Sequence, residues 1–283
     1  MKTRRLTYKD GHHPLYIVAT PIGNLKEMTP RALEILNMVD FIACEDTRHS
    51  GLLLNHFSIK KPLIACHEHN ELEASEKILA LLQSGKMVAY VSDAGYPGIS
   101  DPGERLIAKV IEQDIDVSVI SGSNAMLLAL IGSGLPTEHF YFHGFLPSKS
   151  SARKQQLQLL YSKPETLIFY ESPHRISDTL NDLYTVLGNR RAVIARELTK
   201  LHEEYIRGSL TELKEIDAKS LLGEMVLIVE GNLIQETVSL KDLEAEIQSL
   251  SISMSKKDVA NAISEKYHLK KNDVYRYILE KKK

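Results

Sequence analysis

The sequence predicts an α/β fold made of two α/β domains followed by a small helical C-terminal domain. Over the first half, short strand-like runs alternate with helical patterns, which is typical of a largely parallel sheet. The second half repeats this alternation with more antiparallel character, and after Gly231 the pattern becomes helical. Because 283 residues exceed what one compact core usually holds, we predict domains at residues 1–132, 133–234 and 239–283.

Five short strands and the helices between them are predicted for the first domain. The strands are expected at residues 15–19, 41–44, 62–65, 87–91 and 117–120. Leu72, Leu79 and Leu82 mark one apolar helix face between the third and fourth strands. Residues 124–131 are largely apolar, which predicts a buried helix, and the glycine-containing segment 132–137 is the expected inter-domain hinge.

Four strands and a well-marked helix are predicted for the second domain. The strands are expected at residues 166–170, 191–196, 204–207 and 225–229. Ser172 and Pro173 open a helix that ends at Gly188. Its apolar stripe consists of Ile176, Leu180, Leu183 and Leu187.

Positive charge concentrates in the helical tail, although the whole chain is slightly acidic. The formal net charge is −2, whereas nucleic-acid binders usually carry a basic excess. From Leu240 onward, ten Lys or Arg residues stand against seven acids, a balance of about +3. Three helices are expected there, one of them opened by a capping box of Ser255 and Asp258 and another beginning near Asn272. Any contact with RNA is therefore expected to be local.

Neither a membrane nor a metal is expected. The longest apolar stretch near the middle of the chain, residues 126–131, is far too short to span a bilayer, and no signal-peptide pattern is found. We therefore expect a cytoplasmic protein. His67 and His69 have a spacing that allows a shared metal on a strand, but the neighbouring sequence offers no third ligand.

The segment from Ser92 to Gly103 is the most informative loop. It directly follows a predicted buried strand, at the carboxyl end where open α/β sheets bind ligands. Its three glycines and two prolines make a stiff loop whose backbone can approach a ligand closely. Twelve residues exceed the usual βα connection of two to six. A ligand-binding loop is thus favoured over a plain turn, with Asp93 as an acceptor for a hydroxyl or ammonium group.

Other polar or turn-forming segments also stand at predicted strand ends. Residues 20–25 occupy the first strand-to-helix turn but match neither the dinucleotide-binding nor the P-loop fingerprint. Residues 45–48 either form a polar pocket wall or cap the next helix through Asp46. Residues 169–175 and 195–204 are charged segments at strand ends of the second domain. They are interpreted as the opposite wall of a cleft, with a salt-bridged surface turn as the alternative.

Taken together, these segments resemble the ribosomal RNA small-subunit methyltransferases that act on a cytidine 2′-hydroxyl, within the tetrapyrrole-methylase superfamily. The resemblance covers about residues 15–231 and rests on TPIGNL, ACEDTR, SDAGYPGISDPG, SGLP, FYESPHR, ARELTK-HEE and GEMVLIVEG, in that order. It implies a class III S-adenosylmethionine methyltransferase fold, with the cofactor between two α/β domains. It also implies a homodimer and, as partner, the 16S rRNA of the small ribosomal subunit, its decoding-region cytidine being the target. DNA is not an expected partner.

The resemblance also implies which loops bind S-adenosylmethionine. Three segments of the first domain match the family's cofactor loops. Their residues are Pro21 and Gly23; Asp93, Ala94, Gly95, Pro97, Gly98 and Ile99; and Ser121, Gly122, Ser123, Asn124 and Ala125. Two positions depart from the family pattern, since Ser121 replaces the expected proline and Tyr96 stands where threonine is usual.

The expected reaction is direct in-line transfer of the methyl group from the sulfonium to a ribose O2′. Positioning of the two reactants could supply much of the acceleration. A proton acceptor or a cation that stabilises the oxyanion would assist. Lys200, Glu171 and Arg175 are the candidate catalytic residues, because they lie on the predicted second-domain wall. Segment 149–154 and the tail around Lys270 and Lys271 are candidates for phosphate contacts.

Two alternative functions remain. A methylase of the same fold acting on a small tetrapyrrole precursor is the nearest, and tetrapyrrole binding in a titration would favour it. The other is a non-catalytic RNA-binding module that has lost its cofactor, which a failure to bind S-adenosylmethionine would favour. The net acidic balance weighs against that module, since electrostatics alone would have to supply its affinity.

Overall fold

A five-stranded parallel sheet forms the first part of the fold. The computed structural model describes residues 14–232, 240, 243–252, 254–267 and 271–280, without the side chain of Glu265. The strands are β1 (Leu15–Val18), β2 (Phe41–Cys44), β3 (Leu63–Ala65), β4 (Val88–Val91) and β5 (Val117–Ile120), in the order β3-β2-β4-β1-β5. The helices that connect and follow them are α1 (Pro30–Met38), α2 (Thr47–His56), α3 (Glu71–Gln83), α4 (Glu104–Glu112) and α5 (Ala125–Ser133). The predicted strands are confirmed to within a residue at either end.

Both faces of this sheet are covered, as parallel sheets require. Alternate residues of β1 enter different cores because successive side chains point to opposite faces. Tyr16 and Val18 pack in the core that contains α1, whereas Leu15 and Ile17 pack in the core that contains α3 and α4. The prediction that Leu72, Leu79 and Leu82 form one apolar face of α3 is partly wrong, since Leu79 and Leu82 are buried but Leu72 is 67% exposed.

The second sheet is mixed, and its order is β6-β7-β10-β8-β9. Its elements are β6 (Phe140–Phe145), α6 (Ser150–Leu160), β7 (Thr166–Glu171), α7 (Ile176–Leu187), β8 (Arg191–Arg196), β9 (Glu204–Ser209), α8 (Leu210–Leu213) and β10 (Met225–Val229). Strands β6 and β7 are parallel, and every other neighbouring pair is antiparallel. The predicted α/β class and the antiparallel character of the second half are confirmed, but β6 was not predicted.

Helix α5 links the two sheets. It begins in the loop after β5, and its Ala129 and Leu130 pack on β7, β8 and β10 of the second sheet. The prediction of a buried helix is only half right, because Leu127, Leu128 and Ile131 are exposed. Gly134, in the left-handed conformation, ends α5 in the segment predicted as a hinge.

Two compact units account for the chain, residues 1–231 and residues 232–283. Both sheets belong to the first unit, and the division predicted at residues 132 and 133 stays a prediction. The second unit contains α9 (Glu244–Leu250), α10 (Lys256–Tyr267) and α11 (Lys271–Glu280), with a small apolar core that includes Ile247, Ile263 and Ile278. Five tail lysines lie outside the described residues: Lys241, Lys270, Lys281, Lys282 and Lys283. Across the described ranges, every helix is too short or too polar to cross a membrane.

Candidate active site

Two adjoining cavities lie where the strand-end loops of the two sheets meet. Cavity 1, of about 290 Å³, is lined by Ile22, Ala94, Gly95, Tyr96, Ile99, Ser100, Asp101, Asn124, Ala125, Phe145, Tyr170, Glu171, Ser172, Pro173, Ala195, Leu198, Glu224, Met225 and Val226. Cavity 2, of about 510 Å³, is lined by Pro21, Ile22, Gly23, Leu25, His49, Leu52, Leu53, His56, Asp93, Ala94, Lys200 and Glu224. Because Ile22, Ala94 and Glu224 line both, the two cavities lie side by side and are described together as the cleft.

Backbone hydrogen bonds join the loops after β1 and β4. The amide of Thr20 donates to the carbonyl of Gly95 at 2.9 Å, and the amide of Gly95 donates back to the carbonyl of Thr20 at 3.1 Å. The Thr20 hydroxyl donates to the carbonyl of Ser92 at 3.1 Å. Gly95 and Gly98 have φ values of 75° and 82°, a backbone conformation that residues other than glycine rarely adopt. The sequence therefore places glycine where the loop turns around cavity 1.

The loop after β5 is held against both of these loops. The amide of Gly122 donates to the hydroxyl of Tyr96 at 3.0 Å, and the hydroxyl of Ser123 donates to Glu27 at 2.5 Å. Asn124 caps α5 by accepting a hydrogen bond from the amide of Leu127 at 3.0 Å. Tyr96, which departs from the family pattern, thus lines cavity 1 and also fixes a neighbouring loop.

The predicted cofactor residues divide into three groups. Five line cavity 1: Ala94, Gly95, Ile99, Asn124 and Ala125. Four line cavity 2: Pro21, Gly23, Asp93 and Ala94, the last of them shared. The others, Pro97, Gly98, Ser121, Gly122 and Ser123, line neither cavity. For Gly122 and Ser123, the hydrogen bonds given above hold the loops in place.

Negative charge gathers on the first-sheet wall of the cleft. Burial, with the charges of Glu45 and Asp93, raises the pKa of Asp101 to about 6. Burial and the charge of Asp93 also raise the pKa of Glu45. Oδ1 of Asp93 is buried without a hydrogen-bond partner among the described residues. Asp46 caps α2 and pairs with Arg48, as the capping interpretation predicted, and its charge also contributes to the raised pKa of Glu45.

Lys200 reaches the cleft from the second-sheet side. Its Nζ lies 3.0 Å from Oε1 of Glu197 and 3.0 Å from Oε2 of Glu224. Partial burial alone would lower the pKa of Lys200, but the hydrogen bonds with Glu224 and Glu197 outweigh burial and raise it. Its aliphatic stem lies so close to Gly23 that a Cβ there would come within 2.5 Å of Cγ. Lys200 is therefore a cation at the cavity wall.

The side chains of Glu171 and Arg175 are mainly engaged in contacts with other residues of the protein. Glu171 is 3% exposed and lines cavity 1. Its carboxylate accepts hydrogen bonds from the amide of Ser172 at 2.8 Å and the hydroxyl of Thr179 at 2.6 Å. Arg175 lies 3.5 Å from Glu171, donates to the carbonyl of Leu146 at 2.6 Å and lines neither cavity. These contacts brace the junction of β7 and α7.

Several lining residues were not singled out by the sequence analysis. Asp101, Tyr170 and Glu224 fall within quoted segments, so the resemblance already contained the signal for them. Phe145 was missed together with strand β6. The side chains of α2 in cavity 2 recur at spacings of three and four residues, a signal that the sequence did offer.

The comparisons with known proteins agree with this geometry. Residues 14–214 match the family model described as Tetrapyrrole (Corrin/Porphyrin) Methylases. The chain therefore belongs to the tetrapyrrole methylase family, and the predicted family is confirmed. Among solved structures, that of the methyltransferase CobJ has the same fold, with a TM-score of 0.58, 17% identity and coverage of 78% of this chain and 95% of that chain.

Within the family, the chain is similar to proteins named ribosomal RNA small subunit methyltransferase I. The protein of that name from Pasteurella multocida (strain Pm70) is 48% identical over 275 residues, covering 94% of this chain and 96% of the relative. The one from Synechocystis sp. (strain ATCC 27184 / PCC 6803 / Kazusa) is 45% identical over 271 residues, covering 94% of this chain and 97% of the relative.

Proposed function

We propose that the protein transfers a methyl group from S-adenosylmethionine to the ribose 2′-hydroxyl of a cytidine in the 16S rRNA of the small ribosomal subunit. The similarity to the small-subunit methyltransferases I, which extends over nearly the whole chain, supports this substrate. The observation that carries the proposal is the pair of adjoining cavities, because the reaction needs one site for the methyl donor and one for its acceptor.

The residues of the cleft fit a cationic cofactor. Cavity 1 is mainly apolar with a few polar groups, as expected for a small-molecule site. Asp101 on its wall and Asp93 beside it supply negative charge that favours an ammonium or sulfonium group. The unpaired Oδ1 of Asp93 can accept a hydrogen bond that the protein does not provide. The loops at residues 20–25, 93–99 and 121–125 would hold the cofactor.

The mechanism that we propose depends mainly on positioning. When bound, S-adenosylmethionine supplies an electrophilic methyl group. The interlocked loops after β1, β4 and β5 present a rigid wall that fixes the geometry of approach. Lys200 is the catalytic candidate best placed to act, because its raised pKa keeps it cationic near an oxygen that loses its proton. Glu171 and Arg175 would act by shaping the cleft wall.

RNA contact and subunit assembly are further parts of the proposal. Within segment 149–154, Lys149 is exposed and can contact phosphates, whereas Lys154 is half-buried and paired with Asp182, and Arg153 is 2% exposed. The exposed apolar side chains Leu127 and Ile131 of α5 support a homodimer, since such patches mark interaction surfaces. Sedimentation analysis of the wild type and of Ile131→Asp would test this dimer. A cytoplasmic location is proposed because the substrate is ribosomal.

The first experiment is methyl transfer from radiolabelled S-adenosylmethionine to small ribosomal subunits and to naked 16S rRNA, followed by nucleoside analysis. Label in a 2′-O-methylated cytidine is expected. Labelling of neither RNA by a protein that binds the cofactor would refute the rRNA substrate and favour the small-molecule methylase. Failure to bind the cofactor would refute the transferase itself and favour a non-catalytic module.

A substitution tests the role of Lys200. Lys200→Met should lower kcat by about 100-fold, the lower range for removal of one group that stabilises an oxyanion. Lys219→Met is the matched control, because Lys219 is exposed and lines neither cavity. A kcat for Lys200→Met equal to that of the control would show that positioning alone accounts for catalysis.

A further inference from the structure

One face of helix α2 forms a wall of cavity 2. The side chains concerned are those of His49, Leu52, Leu53 and His56. Residues spaced by three, four and seven positions share one side of a helix, so these four form a continuous stripe. The other side of α2, with Ser50 and Leu54, is buried and fixes the orientation of the helix.

This stripe is apolar and aromatic but remains accessible. Leu52 is 73% exposed, and both imidazoles are exposed. Phe57 contacts the ring of His56 edge-on, with centroids 4.8 Å apart, and so restricts its orientation. From another part of cavity 2, Leu25 adds a second exposed apolar side chain. Such a surface suits a flat ring that stacks rather than a small ion.

Cavity 2 adjoins the cavity whose lining fits the cofactor, so it can receive the methyl acceptor. It adjoins cavity 1 through the shared Ile22, Ala94 and Glu224, and Lys200 lies on its wall. Its volume of about 510 Å³ is within the range that accommodates small molecules, roughly 300–1,000 Å³. A nucleoside in cavity 2 could therefore place its ribose near Lys200 and its base near α2.

We propose that cavity 2 binds the target nucleoside after it leaves the RNA stack, with its base stacked against the His49–His56 face of α2. Proteins that recognise single-stranded RNA stack unpaired bases on aromatic side chains, histidine included. The exposed cation Lys26, next to Leu25, complements a phosphate beside such a nucleoside. This inference rests on the proposed rRNA methylation and names the part of the cleft that receives the substrate.

The test compares four full-length proteins in methylation of small ribosomal subunits. They are the wild type, His49→Ala/His56→Ala, His49→Phe/His56→Phe and the control His139→Ala, whose exposed ring lines neither cavity. The double alanine variant should raise KM for subunits by about tenfold, because a stacking contact is lost. The double phenylalanine variant should stay within about threefold of the wild type, since an aromatic ring still stacks. The affinity for S-adenosylhomocysteine, measured by calorimetry, should be unchanged in all four.

Four other outcomes would overturn either this inference or the proposed function. An unchanged KM in the alanine variant overturns the inference. Weakened S-adenosylhomocysteine binding also overturns it, because the α2 face would then belong to the cofactor site. Conversion to a different oligomeric state would show that this face contacts a second copy of the chain, which again overturns it. If the wild type itself methylates no RNA, the proposed function fails, and that result is distinguishable because it precedes any variant.

Discussion

Substituting Gly122 tests the close packing of the loops after β1 and β5. A Cβ at Gly122 would lie 2.8 Å from Cβ and 3.2 Å from the carbonyl oxygen of Ala19, which directly follows strand β1. The first distance is shorter than side chains tolerate, so Gly122→Ala must displace either the loop or the strand end. Overpacking of this kind costs about 1–3 kcal/mol. At about 2–4 °C per kcal/mol for a domain of this size, Tm should fall by roughly 2–12 °C.

A compensating change makes this prediction specific. Ala19→Gly removes the nearer atom, so the double variant should lose at least about 1 kcal/mol less than the two single variants added together. Ala19→Gly alone should cost up to about 1 kcal/mol through backbone entropy. Affinity for S-adenosylhomocysteine should fall in Gly122→Ala, because its amide no longer reaches Tyr96, and recover in the double variant.

Thermal unfolding and calorimetry on the single and double variants are the assays. Gly51→Ala, within helix α2, is the matched control, since a Cβ there would meet its nearest atom, Cδ1 of Leu63, only at 4.0 Å. The control should be neutral or stabilise the protein by up to about 1 kcal/mol. Strictly additive effects of Gly122→Ala and Ala19→Gly, or an unchanged Tm for Gly122→Ala, would refute the packing that we describe.

Three further predictions concern charge and the tail. Asp182→Asn should lower the free energy of unfolding by about 3–5 kcal/mol, because it leaves the buried Arg153 without its charged partner at 2.7 Å. Lys154→Ala, which removes a second partner of Asp182 whose side chain is 44% exposed, should cost less than about 1 kcal/mol. An equal loss in both variants would contradict this. The pKa of Asp101 is raised to about 6, so the folded protein binds this proton more tightly than the unfolded chain and ionisation costs stability above that pH. Asp101→Asn should therefore raise Tm at pH 7.5, with the difference disappearing as the pH falls through 6 towards 4, and a difference independent of pH would count against that cause. Deleting residues 240–283 should weaken RNA binding in a filter assay while cofactor affinity stays unchanged, and unchanged RNA affinity would exclude a role for the tail.

The parallel strands and the helix starts were accessible from the sequence because their signals are local. Buried strands consist of short apolar runs, and α1 begins with Thr29 as its N-cap followed by Pro30, a pair that is typical of a helix start. Strand β6 lacks such a signal, since it lies at a sheet edge, is largely accessible and has a register shift between Phe142 and Gly144. The alternation of buried and exposed side chains that identifies a strand in a sequence is therefore interrupted within β6.

Other features depended on residues far apart in the chain. By sequence alone, segment 149–154 looks like a solvated basic helix. Arg153 is nevertheless buried, because its guanidinium pairs with Asp182, which lies 29 residues further along the chain. The uniformly apolar α5 does not reveal which of its faces is buried, because that choice depends on the second sheet. In the same way, the ion pair between Lys200 and Glu224 spans 24 residues and could not be read from spacing. Family resemblance located the loops, whereas geometry separated lining residues from bracing ones.

Helix α5 has a consequence for how the protein can be divided. Its first turn is anchored in a loop that serves the first sheet, yet its apolar side chains Ala129 and Leu130 complete the core of the second. A fragment that ends at residue 132 would expose those side chains, and the complementary fragment would lack them. Any chimaera with a relative should therefore exchange helix α5 together with the second sheet. Because both sheets depend on this helix, a change in α5 alters both walls of the cleft together.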